Sequence, residues 1–304
     1  MQNRRNFLKH LGAGVAATAV VGSPFSSLAG GDLITLTILH TNDFHSHIDP
    51  FGKEDTRNAG EGGMARRSTL IKKIRSESEY VLLFDAGDIY QGTPYFNYFN
   101  GKFDFELMTM MGYDAATIGN HEFDNGLEGI RSQLQYAGFP FITSNYNFSD
   151  TILSGMTIPY KVFKRGKLRI GVYGLGIQLK GLVDERNFGK TRFDDPLQTA
   201  LKMEKMLQEE HNTDLIVCLS HLGYSYKDDT ISDKVLASQT FHTDLIIGGH
   251  THTFLEKPDL IVNKSGREVV VNQVGFGGLI LGKVVFYFSK QKRSRNHDSA
   301  KLSI

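Results

Sequence analysis

The 304-residue chain contains one cysteine, Cys218, so an internal disulfide bond is excluded. Its fold must therefore be stabilised by a hydrophobic core or by bound metal. The sequence also lacks internal repeats, low-complexity blocks and any apolar run long enough to span a bilayer. The missing repeats argue against a structural or adhesion protein.

A strong excess of positive charge is absent as well. The formal net charge is +1, and residues 1–29 contain three basic residues and no acidic one. Without that segment, 31 basic residues remain against 33 acidic ones. A chain with this balance has no global field that would coat nucleic acid, so we expect no nucleic-acid partner.

Residues 1–29 have the order of a secretory signal. Arg4, Arg5 and Lys9 are followed by an apolar run over 11–21 and by small residues at 27–29. The arginine pair before Phe7 resembles a twin-arginine signal, which a receptor recognises as an address. We therefore expect export to a bacterial periplasm, with no membrane span in the mature protein.

The remaining chain alternates between two hydrophobic periods. Its composition, 40% hydrophobic and 22% charged, suits one large globular domain, which we place at residues 30–289. Alternating strands and helices predict an α/β layered fold, and the consecutive late strands predict mixed sheets. Residues 145–165 are interpreted as a surface insertion, and 290–304 as a polar, basic tail without regular structure. The predicted strands are 34–39, 80–84, 115–118, 139–143, 168–173, 215–219, 245–247, 269–274 and 279–288, and the predicted helices are 64–78, 103–111, 127–136 and 197–211.

Residues able to bind metal follow almost every predicted strand. In an extended segment, side chains two apart point the same way, which would let Asp43 and His45 bind one ion together; His250 and His252 are also two apart. Glycines at 87, 119, 248 and 249 would allow the backbone to approach the ions without Cβ clashes. The full set of candidate ligands is Asp43, His45, Asp88, Asn120, His221, His250 and His252.

The ligand types indicate two divalent cations. Imidazoles favour zinc and related transition metals, whereas carboxylate and amide oxygens suit harder ions such as manganese. Two aspartates and one bridging hydroxide would leave a formal charge of about +1 on the pair, which attracts a phosphate anion and stabilises charge during displacement. Zinc, manganese and cobalt all fit this mixed set.

These motifs together resemble the calcineurin-like metallophosphoesterases. An Asp-x-His, a Gly-Asp, a Gly-Asn-His-Glu, a lone histidine and a Gly-His-x-His occur in that order over nearly the whole mature chain. The segments 41–45, 119–124 and 249–252 are most similar to the 5′-nucleotidase family. The resemblance implies a four-layer α/β/β/α sandwich with a dimetal site at the carboxyl ends of the strands.

The resemblance also implies a role for each candidate residue. Asn120 and His121 would contact substrate, His121 would protonate the leaving group or stabilise the transition state, and Asp124 would orient its imidazole. Glu122 is interpreted as a structural hydrogen-bond acceptor. For the metals, the implied ligands are Asp43, His45 and His252 for the first ion, Asn120, His221 and His250 for the second, and Asp88 for both.

Typical family members carry a C-terminal domain that clamps the nucleobase; because the sequence stops near residue 304, we expect this clamp to be missing. We therefore expect a phosphate monoesterase acting on a small phosphate ester, with 5′-nucleotides among the candidate substrates. Hydrolysis of phosphodiesters or nucleotide sugars is the alternative chemistry. Two further alternatives remain: the catalytic half of a two-chain nucleotidase, whose partner supplies the clamp, and a non-catalytic, metal-dependent module that binds phosphate ligands.

Overall fold

Two β-sheets form the centre of the protein in the computed structural model, which describes residues 33–289 and 295–304. The predicted signal at residues 1–29 lies outside the described residues. Within those ranges, no helix is long and apolar enough to cross a membrane.

The first sheet has five strands in the order β13-β12-β1-β2-β3. β1, β2 and β3 are mutually parallel, whereas β12 runs antiparallel to both β1 and β13. The carboxyl ends of three strands therefore meet at one edge. The strands are β1 (Leu33–Thr41), β2 (Tyr80–Asp85), β3 (Ala115–Ala116), β12 (Ile280–Ser289) and β13 (Arg295–Ser303).

The second sheet has six strands in the order β10-β11-β9-β8-β6-β5. Its four central strands are parallel and both edge strands are antiparallel to their neighbours, so both main sheets are mixed as predicted. A two-stranded ribbon of β4 and β7 completes the β structure of the described residues. The strands are β4 (Tyr146–Asn147), β5 (Tyr160–Arg165), β6 (Leu168–Gly176), β7 (Arg192–Phe193), β8 (Leu215–His221), β9 (Leu245–Ile247), β10 (Asp259–Val262) and β11 (Glu268–Asn272).

Helices cover the outer face of each main sheet. Five of the described helices pack on the first sheet, through residues such as Ile71, Phe105 and Phe188, and two pack on the second, through residues such as Ala200 and Leu236. The helices are α1 (Met64–Glu77), α2 (Pro94–Phe99), α3 (Lys102–Met111), α4 (Gly126–Leu134), α5 (Glu185–Phe188), α6 (Pro196–Glu209) and α7 (Asp233–Gln239).

A third apolar cluster lies between the sheets and joins them. It contains Leu36 and Leu82 from the first sheet and Val172, Val217 and Val270 from the second. Burying the inner face of each sheet in this way explains the near-continuous apolar strands. With helices outside both sheets, the order of layers is the expected α/β/β/α sandwich.

Capping defines where the longest helix on the second sheet begins. The Asp195 side chain accepts a hydrogen bond from the backbone N–H of Gln198, and Pro196 occupies the first helical turn. An aspartate cap followed by proline is a common start of a helix.

Two segments in the middle of the chain differ from the sequence prediction. Residues 139–143 form only isolated bridges, through Phe141 and Ile142. Their apolar composition predicts a strand, but a strand also needs a neighbour that pairs with it continuously, and this segment has none among the described residues. The segment 145–165 is not a surface insertion. Tyr146, Phe148 and Leu153 are buried in the core, and the segment also supplies an edge strand of the second sheet.

The polar segment after residue 289 also differs from its prediction as a tail without regular structure. Arg295–Ser303 forms β13, which pairs with β12 from Ile280 to Phe288. A polar sequence without apolar periodicity gives little strand signal, yet an edge strand needs only backbone hydrogen bonds to a neighbour.

The core between the sheets makes a quantitative prediction. Leu82 is fully buried there, so Leu82→Ala should lower the free energy of unfolding by about 2–5 kcal/mol through lost burial and a cavity. Leu260, which is 48% exposed on an edge strand, provides the matched control, and Leu260→Ala should have a much smaller effect. Urea unfolding followed by circular dichroism measures both, and equal losses would contradict the layer assignment.

Candidate metal centre

The sequence-predicted ligands converge at the carboxyl edge of both main sheets. Asp43 and His45 follow β1, Asp88 follows β2 and Asn120 follows β3. From the second sheet, His221 ends β8, and the two histidines at 250 and 252 follow β9. Parallel strands place their carboxyl ends side by side, which brings residues far apart in sequence into one site.

One group of ligand atoms combines Asp43, His45 and His252, all within 4.8 Å of one another. The Nε2 atoms of the two histidines are 2.9 Å apart, and Nε2 of His252 is 3.4 Å from Oδ1 of Asp43. Asp43 and His45 are buried, whereas the His252 side chain is 42% exposed and lies at the rim.

A second group combines Asp88, His221 and His250 within the same distance. Nε2 of His221 is 3.0 Å from Oδ2 of Asp88, and Nδ1 of His250 is 2.8 Å from Oδ1 of Asn120. The groups are adjacent, since the backbone N–H of His250 donates to both carboxylate oxygens of Asp43. All seven predicted ligands therefore belong to one continuous site.

The backbone that presents these ligands is left-handed rather than extended. Five of the seven have positive φ angles, which non-glycine residues rarely adopt. The expectation of an extended backbone at these positions is therefore wrong. Asp43 and His45 still share one ligand group, whereas His250 and His252 belong to different groups. Strain of this kind is typical of functional sites. The five residues are Asp43 (46°), His45 (54°), Asp88 (56°), His250 (72°) and His252 (51°).

Hydrogen bonds to carbonyls decide the tautomers of two buried histidines. Nδ1 of His45 lies 3.0 Å from the carbonyl oxygen of Tyr90, and Nδ1 of His221 lies 2.7 Å from that of Ala86. A carbonyl only accepts, so both Nδ1 atoms carry the proton and both neutral rings present an Nε2 lone pair to the site. Metal-binding histidines commonly have this arrangement.

The Asp88 and His221 pair requires positive charge between its two side chains. Burial would lower the pKa of His221, but the Asp88 carboxylate raises it to about 10. His221 in turn holds the pKa of Asp88 well below its usual range, against the effect of burial. In its neutral form, His221 would direct a buried lone pair at a carboxylate, so a proton or a metal cation must compensate. The donor set therefore fits divalent cations.

His250 offers a neutral ring to the same cluster. Burial, together with the positive charge of His221, lowers the pKa of His250 to about 4. Burial likewise lowers the pKa of His45. Neutral imidazoles are the form that binds metal.

His121 and Asp124 form a hydrogen-bonded pair beside the ligands. Nδ1 of His121 is 2.9 Å from Oδ2 of Asp124, and this hydrogen bond raises the pKa of the imidazole. The His121 ring lies 5.2 Å from the His45 ring, and its side chain is one-third exposed. Its backbone N–H also donates to Oδ1 of Asp88 at 2.8 Å. The imidazole is thus accessible and steadied by a carboxylate.

A supporting residue that sequence reasoning missed is Gln273. Its amide donates to the carbonyl of Gly249 at 2.6 Å, and its oxygen accepts from Thr251 and from the backbone of Thr253. These contacts fasten the loop that carries His250. No motif indicates this role, because Gln273 is an ordinary polar residue after a strand.

The sequence of this chain matches the calcineurin-like phosphoesterases over residues 36–254. It is 34% identical over 277 residues to a snake venom 5′-nucleotidase from Gloydius brevicauda, a match covering 84% of this chain and 45% of that protein. The chain therefore spans about half the length of the curated relatives it matches.

Solved structures are similar in the same region. The 5′-nucleotidase precursor from Thermus thermophilus superposes with a TM-score of 0.80 at 32% identity, covering 89% of this chain and 55% of that chain. The NAD nucleotidase of Haemophilus influenzae gives a TM-score of 0.77 at 27% identity, covering 89% of this chain and 50% of the other.

Close packing at Gly119 leads to a testable prediction. A Cβ there would overlap Oδ1 of Asp88 and lie 2.6 Å from its backbone nitrogen, so Gly119→Ala should lower the free energy of unfolding by about 1–3 kcal/mol. Gly52→Ala is the control, since the added methyl meets only the flexible, exposed side chain of Glu54. Chemical denaturation compares the two, and an unperturbed Gly119→Ala variant would refute the predicted overlap.

Proposed function

Because this chain belongs to the calcineurin-like phosphoesterase family, we propose that it is a dinuclear-metal hydrolase of phosphate monoesters, with 5′-nucleotides as its candidate substrates. One observation carries the proposal: two adjacent ligand groups lie next to an accessible histidine that a carboxylate orients. Such an arrangement combines electrophilic stabilisation of phosphate with general acid catalysis.

We assign the two ligand groups to two ions. Asp43, His45 and His252 would hold the first, and Asn120, His221 and His250 the second. Asp88 would bridge them, since its carboxylate contacts His221 and also acts electrostatically on His45. The mixed imidazole and oxygen donors suit zinc, manganese or cobalt.

Bound divalent ions would lower the pKa of the attacking water and stabilise the charge that develops on the phosphoryl group. His121 would then protonate the leaving oxygen. Because Nδ1 is held by Asp124, the free Nε2 is the atom that delivers the proton. Asn120 and His121 would together contact the substrate phosphate. Asp124 keeps the imidazole oriented and favours its protonated form.

Nucleotides are proposed as substrates because the matched relatives are named 5′-nucleotidases, and one solved neighbour is named an NAD nucleotidase. The chain spans about half the length of those proteins. We also propose that a second polypeptide contributes to nucleotide binding. The predicted twin-arginine signal would direct the protein to a periplasm. To test for a second polypeptide, candidate partner proteins are added and the KM for AMP is measured. A KM that no candidate changes would count against a second polypeptide.

The proposed activity predicts metal-dependent turnover by the full chain. Manganese, zinc and cobalt are added in turn, with p-nitrophenyl phosphate, its bis-ester, AMP, NAD and a nucleotide sugar as substrates. We expect hydrolysis of the monoesters only with metal, and loss of both bound metal and activity in Asp88→Asn. Binding of two ions without turnover of any substrate would favour a non-catalytic phosphate-binding module.

The role of His121 predicts a separate phenotype. His121→Ala should retain bound metal but lose about 10²–10⁴-fold in kcat, since a positioned acid contributes that much. His211, which lies away from the site beside Tyr160, provides a control, and His211→Ala should have wild-type kcat. Metal content and steady-state kinetics are measured on both. Wild-type kcat in His121→Ala would remove this residue from the mechanism.

A further inference from the structure

Glu122 has a buried carboxylate surrounded by backbone donors. The side chain lies in the 3₁₀ turn His121–Phe123 and is 1% exposed. Its Oε1 accepts from Ile89 at 2.7 Å and from Tyr90 at 3.3 Å. Its Oε2 accepts from Asp88 at 3.0 Å and from Gly119 at 2.6 Å. Four N–H groups from two different loops therefore converge on one side chain.

These hydrogen bonds lie just beyond the last paired residues of β2 and β3, where the strands no longer hold the two following loops together. The register of β2 and β3 ends at the pair Asp85 and Ala116. Beyond that point, Oε2 of Glu122 connects the loop of Asp88 with the loop of Asn120. The left-handed φ of Asp88 needs such support, because strained backbone persists only when its surroundings hold it.

We propose that Glu122 is a positioning residue that sets the spacing of Asp88 and Asn120 and thereby the affinity of the site for divalent cations. The inference rests on the proposed function, in which these two residues are metal ligands. Glu122 is adjacent to His121 in sequence, but its side chain is buried, whereas that of His121 is one-third exposed. Partners behind metal ligands commonly affect affinity about 10–100-fold.

A second buried glutamate makes the inference testable against general destabilisation. Glu204 is also 1% exposed, and its carboxylate accepts from the backbone N–H groups of Phe241, His242 and Thr243 and from the Thr243 hydroxyl. These residues precede β9, at the end of the strand away from the metal loops. Glu204 therefore matches Glu122 in burial and in the number of donors, but not in location.

Glutamine is the informative substitution at both positions. Its amide nitrogen cannot accept, so Glu122→Gln leaves either the Asp88 and Gly119 donors or the Ile89 and Tyr90 donors without a partner. Glu204→Gln imposes a similar loss on the loop before β9. Both variants should therefore lose stability, but only Glu122→Gln should disturb the loops that carry Asp88 and Asn120.

The experiment titrates Co²⁺ into the full-length wild type and both variants, using calorimetry and the visible absorption of bound cobalt. We expect Glu122→Gln to weaken Co²⁺ binding about 10–100-fold and to alter the absorption band. Glu204→Gln should bind Co²⁺ as the wild type does, although thermal unfolding of both metal-free variants shifts downward. Wild-type affinity in Glu122→Gln, or equal weakening in both variants, would overturn the proposal.

A folding failure would not end the test. If circular dichroism finds Glu122→Gln unfolded, Glu122→Asp takes its place; the shorter side chain keeps the charge but cannot reach both loops. Glu122→Asp with wild-type Co²⁺ affinity would overturn the proposal. Failure of the proposed function is distinguishable, because wild type that binds two Co²⁺ ions without hydrolysis contradicts the phosphoesterase activity and leaves the affinity comparison intact.

Discussion

The contact between Asp88 and His221 is the interaction on which the site depends. Asp88 follows a strand of the first sheet and His221 ends a strand of the second, so this 3.0 Å contact joins the two sheets at their carboxyl edges. Both side chains are buried and the imidazole Nδ1 is already committed to Ala86. Positive charge must therefore reside between them, which is why the same contact that links the sheets also indicates a cation site.

Around that contact, several candidate ligands have a strained, left-handed backbone conformation, and buried polar residues hold that backbone in place. Five candidate ligands have left-handed φ angles. Asn42 donates to Asp43 and to the carbonyl of Gly275, Glu122 receives the backbone of Asp88, and Gln273 holds the loop of His250. Each of these hydrogen bonds lies in the core, so losing it would leave a buried polar group without a partner and out of reach of water.

Sequence reasoning is informative where residue chemistry is distinctive and weak where it is not. Motifs and hydrophobic periods predict the convergence of the seven candidate ligands and the mixed sheets, and the family resemblance implies the contact of His121 with Asp124. They do not predict strand β13, because its polar residues carry no periodic signal and its existence depends on pairing with β12. They also place the buried segment around Tyr146 at the surface, since its aromatic residues are separated by polar turns.

The sequence by itself determined which residues could bind metal and the order in which they follow the strands, because imidazole, carboxylate and amide groups have ligand chemistry in any context. Only the tertiary structure decided how close the two ligand groups lie, which nitrogen of each buried histidine faces the site, and which backbone N–H groups donate to the carboxylate of Glu122. Those outcomes depend on contacts such as that between His250 and Asp43, 207 residues apart, for which no local pattern exists. They arise when two sheets pack and their strand ends meet.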